Sequence, residues 1–250
     1  MEKKDVILPN IKLNRTQLDE TTNLKKVRPK VLFFDVNETL LDLAQMKKQV
    51  GLVLGGKENL LSLWFTTMLQ YSLVTSAAEQ YYHFENIGAA SLQMVAATNG
   101  ITISERDAKK VIIESLRNLP VHSEVKAALT QLKKDGYKLV ALTNSSNESV
   151  KAQFENAGLT AFFEERLSIE DVGKFKPFRD TYNWAANKLE VKPEECMLIA
   201  AHGWDVAGAL WAGWRAAFIS RPGQQIFPLA PKTEIIESDL KKVAEILVNY

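Results

Sequence analysis

The 250-residue chain has one cysteine, Cys196, so no intrachain disulfide can form and the fold must rest on its core. Cys196 opens the apolar run CMLIAA and reads as a small buried side chain, which fits a reducing cytoplasm. Charge of one sign is also lacking: 31 Lys and Arg stand against 30 Asp and Glu, a net charge of +1. No global field recruits nucleic acid or an anionic membrane, and a small molecule is the expected partner. No apolar run reaches the length of a membrane span. Residues 1–29 lack the apolar centre of a secretory signal and read as a polar extension. The apolar fraction of 46% is ordinary for a soluble domain, and the length suffices for a sizeable core.

What is present alternates. In KVLFFDVNETLLDL, residues 30–43, an apolar run reads as a strand buried on both faces, with Asp35 at its carboxyl end. Residues 43–117 then carry helical spacing. Leu60, Leu61, Trp64, Met68 and Tyr71 recur at helical intervals, and Ser104 stands as a candidate N-cap before ERDAKKVIIESL. From Val121 the β-α alternation returns: a helix over 123–134, the strand YKLVALT, a helix over 148–157, a short strand near 162–167 and a helix around 179–189. The strand CMLIAA, a helix through Ala212, the strand RAAFIS and a last helix DLKKVAEILV complete it. This order predicts an α/β fold with a doubly wound parallel sheet. The core is assigned to 30–42 and 118–250, and an all-helical insertion to 43–117.

Three of these strands end in polar groups: Asp35 with Asn37 and Thr39; Thr143 with Asn144; and His202 with Asp205. Lys176 lies in a loop before a helix. A parallel sheet gathers the carboxyl ends of its strands on one edge, where ligands bind.

Asp35-Val36-Asn37-Glu38-Thr39, LTNSS at 142–146, FKPFRDTY at 175–182 and AAHGWDVAGA at 200–209 fall in the order and spacing of the haloacid dehalogenase superfamily. Within it the chain is most similar to the type II L-2-haloacid dehalogenases, over about residues 30–222. The resemblance implies that the core is Rossmann-like, that the helical insertion is a cap domain, and commonly a homodimer; no cofactor is expected. It makes Asp35 the nucleophile, Thr39 the hydroxyl that orients it, Lys176 the facing lysine and Asp205 the last carboxylate. Thr143, Asn144 and Tyr182 match substrate-side positions, with Asn144 holding the departing halide.

Phosphatases of the superfamily carry a second aspartate two residues after the nucleophile, which protonates the leaving alkoxide. Here Asn37 stands there, and losing a general acid costs roughly 10²- to 10⁴-fold in rate. A halide leaves unprotonated. Ala200 and Ala201 leave Asp205 without a second acidic partner for Mg²⁺, so no metal is predicted. The expected activity is hydrolysis of short 2-halo acids through an aspartyl ester. A small-metabolite phosphatase and an inactive binding protein are the alternatives. Two departures bear on the site. The cap arginine of these enzymes has no counterpart in LGGKENLLSLW, where Lys57 offers charge without a planar fork. His202 replaces the usual asparagine and is expected to share the base role with Asp205 or take it over.

Overall fold

A computed structural model describes residues 27–250; most of the expected polar extension, residues 1–26, lies outside the described residues. Six strands form one sheet: β1 (Val31–Phe34), β2 (Lys138–Thr143), β3 (Glu165–Ser168), β4 (Cys196–Ala200), β5 (Arg215–Ile219) and β6 (Ile235–Glu237). Their spatial order is β3-β2-β1-β4-β5-β6, and every pairing is parallel. The chain first winds from β1 outward to β3, then returns to β4 on the other side of β1. The order therefore reverses between β1 and β4, which opens a crevice at their carboxyl ends.

The residue pattern of β1 follows from its central place. Val31 and Phe33 face one side and Leu32 and Phe34 the other, and all four are buried. Phe33 packs on Trp214 with ring centroids 4.4 Å apart, and Phe34 meets Phe163 edge-on at 5.5 Å. Burying each such side chain contributes about 1.5–3 kcal/mol.

Between β1 and β2 come α1 (Ala44–Val53), α2 (Leu60–Ala77), α3 (Phe84–Thr98), α4 (Glu105–Arg117) and α5 (Val125–Lys134). The later helices are α6 (Asn147–Ala157), α7 (Arg179–Lys188), α8 (Gly203–Trp211) and α9 (Leu240–Leu247). Ser104 caps α4 by accepting the Asp107 N–H at 3.1 Å, and Ser146 caps α6 through the Ser149 N–H at 3.2 Å. Helices α7 and α8 supply the apolar layer on one face of the sheet. On the other face α5, α6 and α9 share a continuous apolar cluster with α1–α4, in which Trp64 donates its indole N–H to the Gly88 carbonyl at 2.8 Å.

Strand β6 was not among the expected elements. It has three residues and only Ile235 is buried, so it offers no apolar run to read. Cys196 is buried at the start of β4, its thiol directed to the Lys192 carbonyl at 3.3 Å. No helix among the described residues is long and apolar enough to cross a membrane.

Candidate active site

After Phe34 the chain turns tightly. The amides of Leu40 and Leu41 both return to the Val36 carbonyl, at 2.9 and 3.1 Å. This reversal brings Thr39 back over Asp35, where its hydroxyl donates to Asp35 Oδ2 at 2.6 Å. The Ala201 N–H donates in turn to Thr39 Oγ1 at 2.9 Å, so the first strand end is tied to the fourth.

Lys176 reaches the same place from the loop before α7, on a cis Lys176–Pro177 bond. It is 0% exposed, and all three ammonium hydrogens have acceptors: Asp35 Oδ1 at 2.8 Å, Asp205 Oδ2 at 2.6 Å and the Leu142 carbonyl at 2.9 Å. Burial alone would lower its pKa; the two carboxylates outweigh that and raise it. The loop is gripped from the inserted helices. Ser76 Oγ accepts the Phe175 N–H at 3.1 Å, and Tyr81 and Phe84 lay their rings against Phe175.

His202, at the end of β4, completes the cluster. Its Nδ1 lies 3.0 Å from Asp35 Oδ2 and its Nε2 2.9 Å from Glu38 Oε2. Burial would push the imidazole down, but Asp35 and Glu38 overcome it and raise the ring to about 9. His202 is therefore an imidazolium at neutral pH and has no lone pair with which to take a proton. The expectation of a base there is corrected on that ground. Asp35 experiences the reverse. Burial would raise its carboxyl, and Lys176 together with His202 holds it well below the usual carboxylate range. Asp205 shifts the other way although it shares the same lysine: burial pushes it up, Asp35 adds to that, and Lys176 only partly offsets them.

The remaining expected residues divide. Asn144 lies beside the cluster and accepts the Lys176 N–H on Oδ1 at 3.0 Å. Thr143 accepts the Ser145 N–H at 3.1 Å and is fully buried. Asn37 donates to Ser145 Oγ at 3.2 Å and accepts from Gln153 at 2.8 Å, so its amide joins the first and second strand-end loops. Tyr182 is buried behind the site, where its hydroxyl donates to Asp205 Oδ1 at 2.6 Å. Its place as a substrate contact is corrected: it orients the carboxylate from the side of α7. Lys57 is also corrected. It stands exposed on the turn between α1 and α2, without a side-chain contact to this cluster among the described residues.

Several members went unread in the sequence. Glu38, read only as a member of the first motif, reaches His202 Nε2 at 2.9 Å and accepts from Gln224 Nε2 at 2.9 Å. Phe65, on α2, stacks on the His202 ring at 6.0 Å with planes 19° apart, and Trp204 stacks at 5.1 Å and 24°. Gln153, Gln224 and Phe65 carry no local signal. Glu38 lies inside the nucleophile's own motif, and its left-handed backbone, φ 63°, emerges only from the structure.

A sequence profile of the haloacid dehalogenase-like hydrolases matches residues 29–213. The chain belongs to this family. Among relatives, an (S)-2-haloacid dehalogenase of Pseudomonas sp. strain YL is 26% identical over 218 residues, covering 87% of this chain and 94% of the relative. Haloacetate dehalogenase H-2 of Moraxella sp. strain B is 27% identical over 201 residues, covering 80% and 88%. The L-2-haloacid dehalogenase of Xanthobacter autotrophicus superposes with a TM-score of 0.81 over 88% of this chain and 98% of that one; at 21% identity the likeness is one of fold.

Many haloacid dehalogenase-like hydrolases hold Mg²⁺ on the carboxylates of their first and last motifs, and the residues here do not fit it. Mg²⁺ requires octahedral oxygen ligands. Asp35 instead presents one oxygen to an ammonium and the other to a hydroxyl and an imidazolium, while Asp205 bonds to an ammonium and a phenol. Two cationic side chains occupy the surroundings that a divalent ion would need.

Proposed function

We propose that this haloacid dehalogenase-like hydrolase cleaves the carbon-halogen bond of short 2-haloalkanoic acids through an ester on Asp35. The observation that carries the reading is the state of Asp35 itself: a buried carboxylate kept ionised by Lys176, with no proton donor two residues on. Such a group is a nucleophile for a leaving group that needs no proton. The position of the missing acid holds Asn37, whose amide is engaged with Ser145 and Gln153, so a phosphatase reading finds no support there. The dehalogenase activities of the relatives point the same way.

The carboxylate attacks the halogen-bearing carbon from the side opposite the halide, forming the carbon-oxygen bond as the carbon-halogen bond breaks. The electron pair leaves on the halide, toward Asn144. Water then attacks Cγ of the ester, and Asp205, whose basicity burial raises, is the group best suited to take its proton. The product is a 2-hydroxy acid inverted at carbon 2, and Asp35 is restored.

The test is halide release from a panel of 2-chloro-, 2-bromo- and 2-fluoro-acids. Wild-type protein is expected to release halide and the Asp35→Asn variant to release none. Equal release by the two proteins would overturn the proposal.

A further inference from the structure

The carboxylate of Asp35 is held unequally at its two oxygens. Among the described residues Oδ1 meets only the Lys176 ammonium, whereas Oδ2 meets both the Thr39 hydroxyl and His202 Nδ1. The hydroxyl is aimed, because Thr39 Oγ1 already accepts the Ala201 N–H and so turns its own hydrogen toward Oδ2. The ring is aimed too, with one nitrogen on Asp35 and the other on Glu38. A neutral imidazole has a single N–H, so only the imidazolium satisfies carboxylates at both nitrogens. Glu38 makes this contact from a left-handed backbone, φ 63°, a conformation disfavoured for a non-glycine residue. Gln224 donates to the same carboxylate oxygen, and His122 donates to the Glu38 carbonyl at 2.9 Å. A strained residue is thus held from three sides with its side chain on the ring.

Resting on the ester chemistry proposed above, we propose that Thr39 and His202 form the oxyanion site for hydrolysis of that ester, with Glu38 as the positioning residue that holds the imidazolium in place. Oδ1, with the single donor, is the oxygen that attacks carbon and becomes the ester linkage; Oδ2 becomes the ester carbonyl. When water adds to Cγ, the Cγ–Oδ2 π pair moves onto Oδ2, and negative charge develops between a hydroxyl and an imidazolium already in position. The water proton passes to Asp205. Collapse re-forms the Cγ–Oδ2 double bond and breaks the Cγ–Oδ1 bond; the departing alkoxide regains that proton. Ester and water become carboxylic acid and hydroxy acid, and the Asp35 acid then loses its proton to solvent.

The surroundings suit a fixed cation. Asp35 and Glu38 face the ring from the first strand-end loop. Lys176 stands on the far oxygen of Asp35, and Asp205, from α8, is bound to that lysine. Arg221, beyond β5, is turned to the Thr39 carbonyl and Glu124. From α2 comes no charge, only the Phe65 ring; with Trp204 it covers the ring faces, which favours the charged form through cation-π attraction and limits water.

The deciding experiment is rapid-quench intact-mass analysis of the full chain with 2-chloropropionate, alongside NMR titration of its three histidines. His202→Ala, which removes the donor, is expected to slow ester hydrolysis by roughly 10²- to 10³-fold, and to slow halide release in the first turnover far less, so that the ester-bearing chain accumulates. Glu38→Gln, which keeps the shape and removes the charge, is expected to accumulate ester to a lesser degree. It should also lower the His202 titration from about 9 toward its ordinary value. If neither variant accumulates ester while both release halide, or if the His202 titration is indifferent to Glu38→Gln, the oxyanion role is overturned and the dehalogenase reading stands. If wild-type protein yields neither halide nor ester, that reading falls and this inference falls with it.

Discussion

At Asp35 two opposing effects meet: burial, which favours the neutral acid, and two adjacent cations, which favour the anion and prevail. His202 mirrors this, and its balance has a measurable cost. The ordinary histidine value is 6.5 and the folded one about 9. Because the folded value is raised, the stabilisation from the charged ring is fully present below pH 6.5 and is lost as pH climbs through 9. The span corresponds to about 3 kcal/mol. The melting temperature is therefore expected to fall between pH 7 and pH 9.5 at constant ionic strength, and His202→Asn to flatten that slope. Differential scanning calorimetry across this range checks it; a wild-type profile without a downward trend would refute it. At this scale the sequence was informative where a polar group follows an apolar strand, as Asp35, His202 and Asp205 do. It was silent on which charge faces which. Glu38 and His202 are 164 positions apart, and nothing local says that a turn glutamate meets a strand-end histidine.

The elements are held closely around the site, and α8 shows how little room is left. A Cβ on Gly208 would lie 2.4 Å from the Pro177 Cβ and 2.7 Å from the Tyr182 hydroxyl. The absent side chain lets α8 approach both the lysine loop and the tyrosine that holds Asp205. Gly208→Ala is expected to destabilise the fold by about 1–3 kcal/mol and to reduce kcat, because Tyr182 must move with its carboxylate partner. Denaturant unfolding beside steady-state halide release checks both, and a variant of unchanged stability would show that the contact yields. Helix periodicity and caps made most elements readable: Ser104 opens α4, and the apolar spacing of residues 60–71 marks α2. What periodicity leaves out is the side of a helix that touches a neighbour. Phe65 is one residue beyond Trp64, half-buried against the same cluster, and it also presents its ring to the imidazolium.

For the molecule as a whole, the notable continuity is in the apolar interior. Leu32 and Phe34 of the sheet share one buried cluster with Trp64, Met68, Phe84 and Ile112 of the inserted helices. Ser76 and the rings of Tyr81 and Phe84 also fix the loop that carries Lys176, so the insertion supports the site as well as adjoining it. Sheet and insertion are accordingly expected to unfold in one cooperative step. Trp64→Ala, at a cost of about 3–5 kcal/mol, should lower that single transition rather than split it. Near- and far-ultraviolet circular dichroism followed together check this, and a separate early transition of the helices would count against it. The alternation of strands and helices made the doubly wound sheet legible, since each strand carries its own apolar run. The joining of the two parts through a common interior was not, because it depends on contacts between stretches that look alike in composition.

The lone thiol has a practical corollary. Cys196 is sealed inside β4 and burial pushes its ionisation up to about 12, so it offers almost no thiolate to an alkylating dye. A cysteine introduced at an exposed site such as Leu63 of α2 would be the single reactive handle on the native protein. A fluorophore attached there could report on the helices between β1 and β2 during turnover without any prior removal of the natural sulfur.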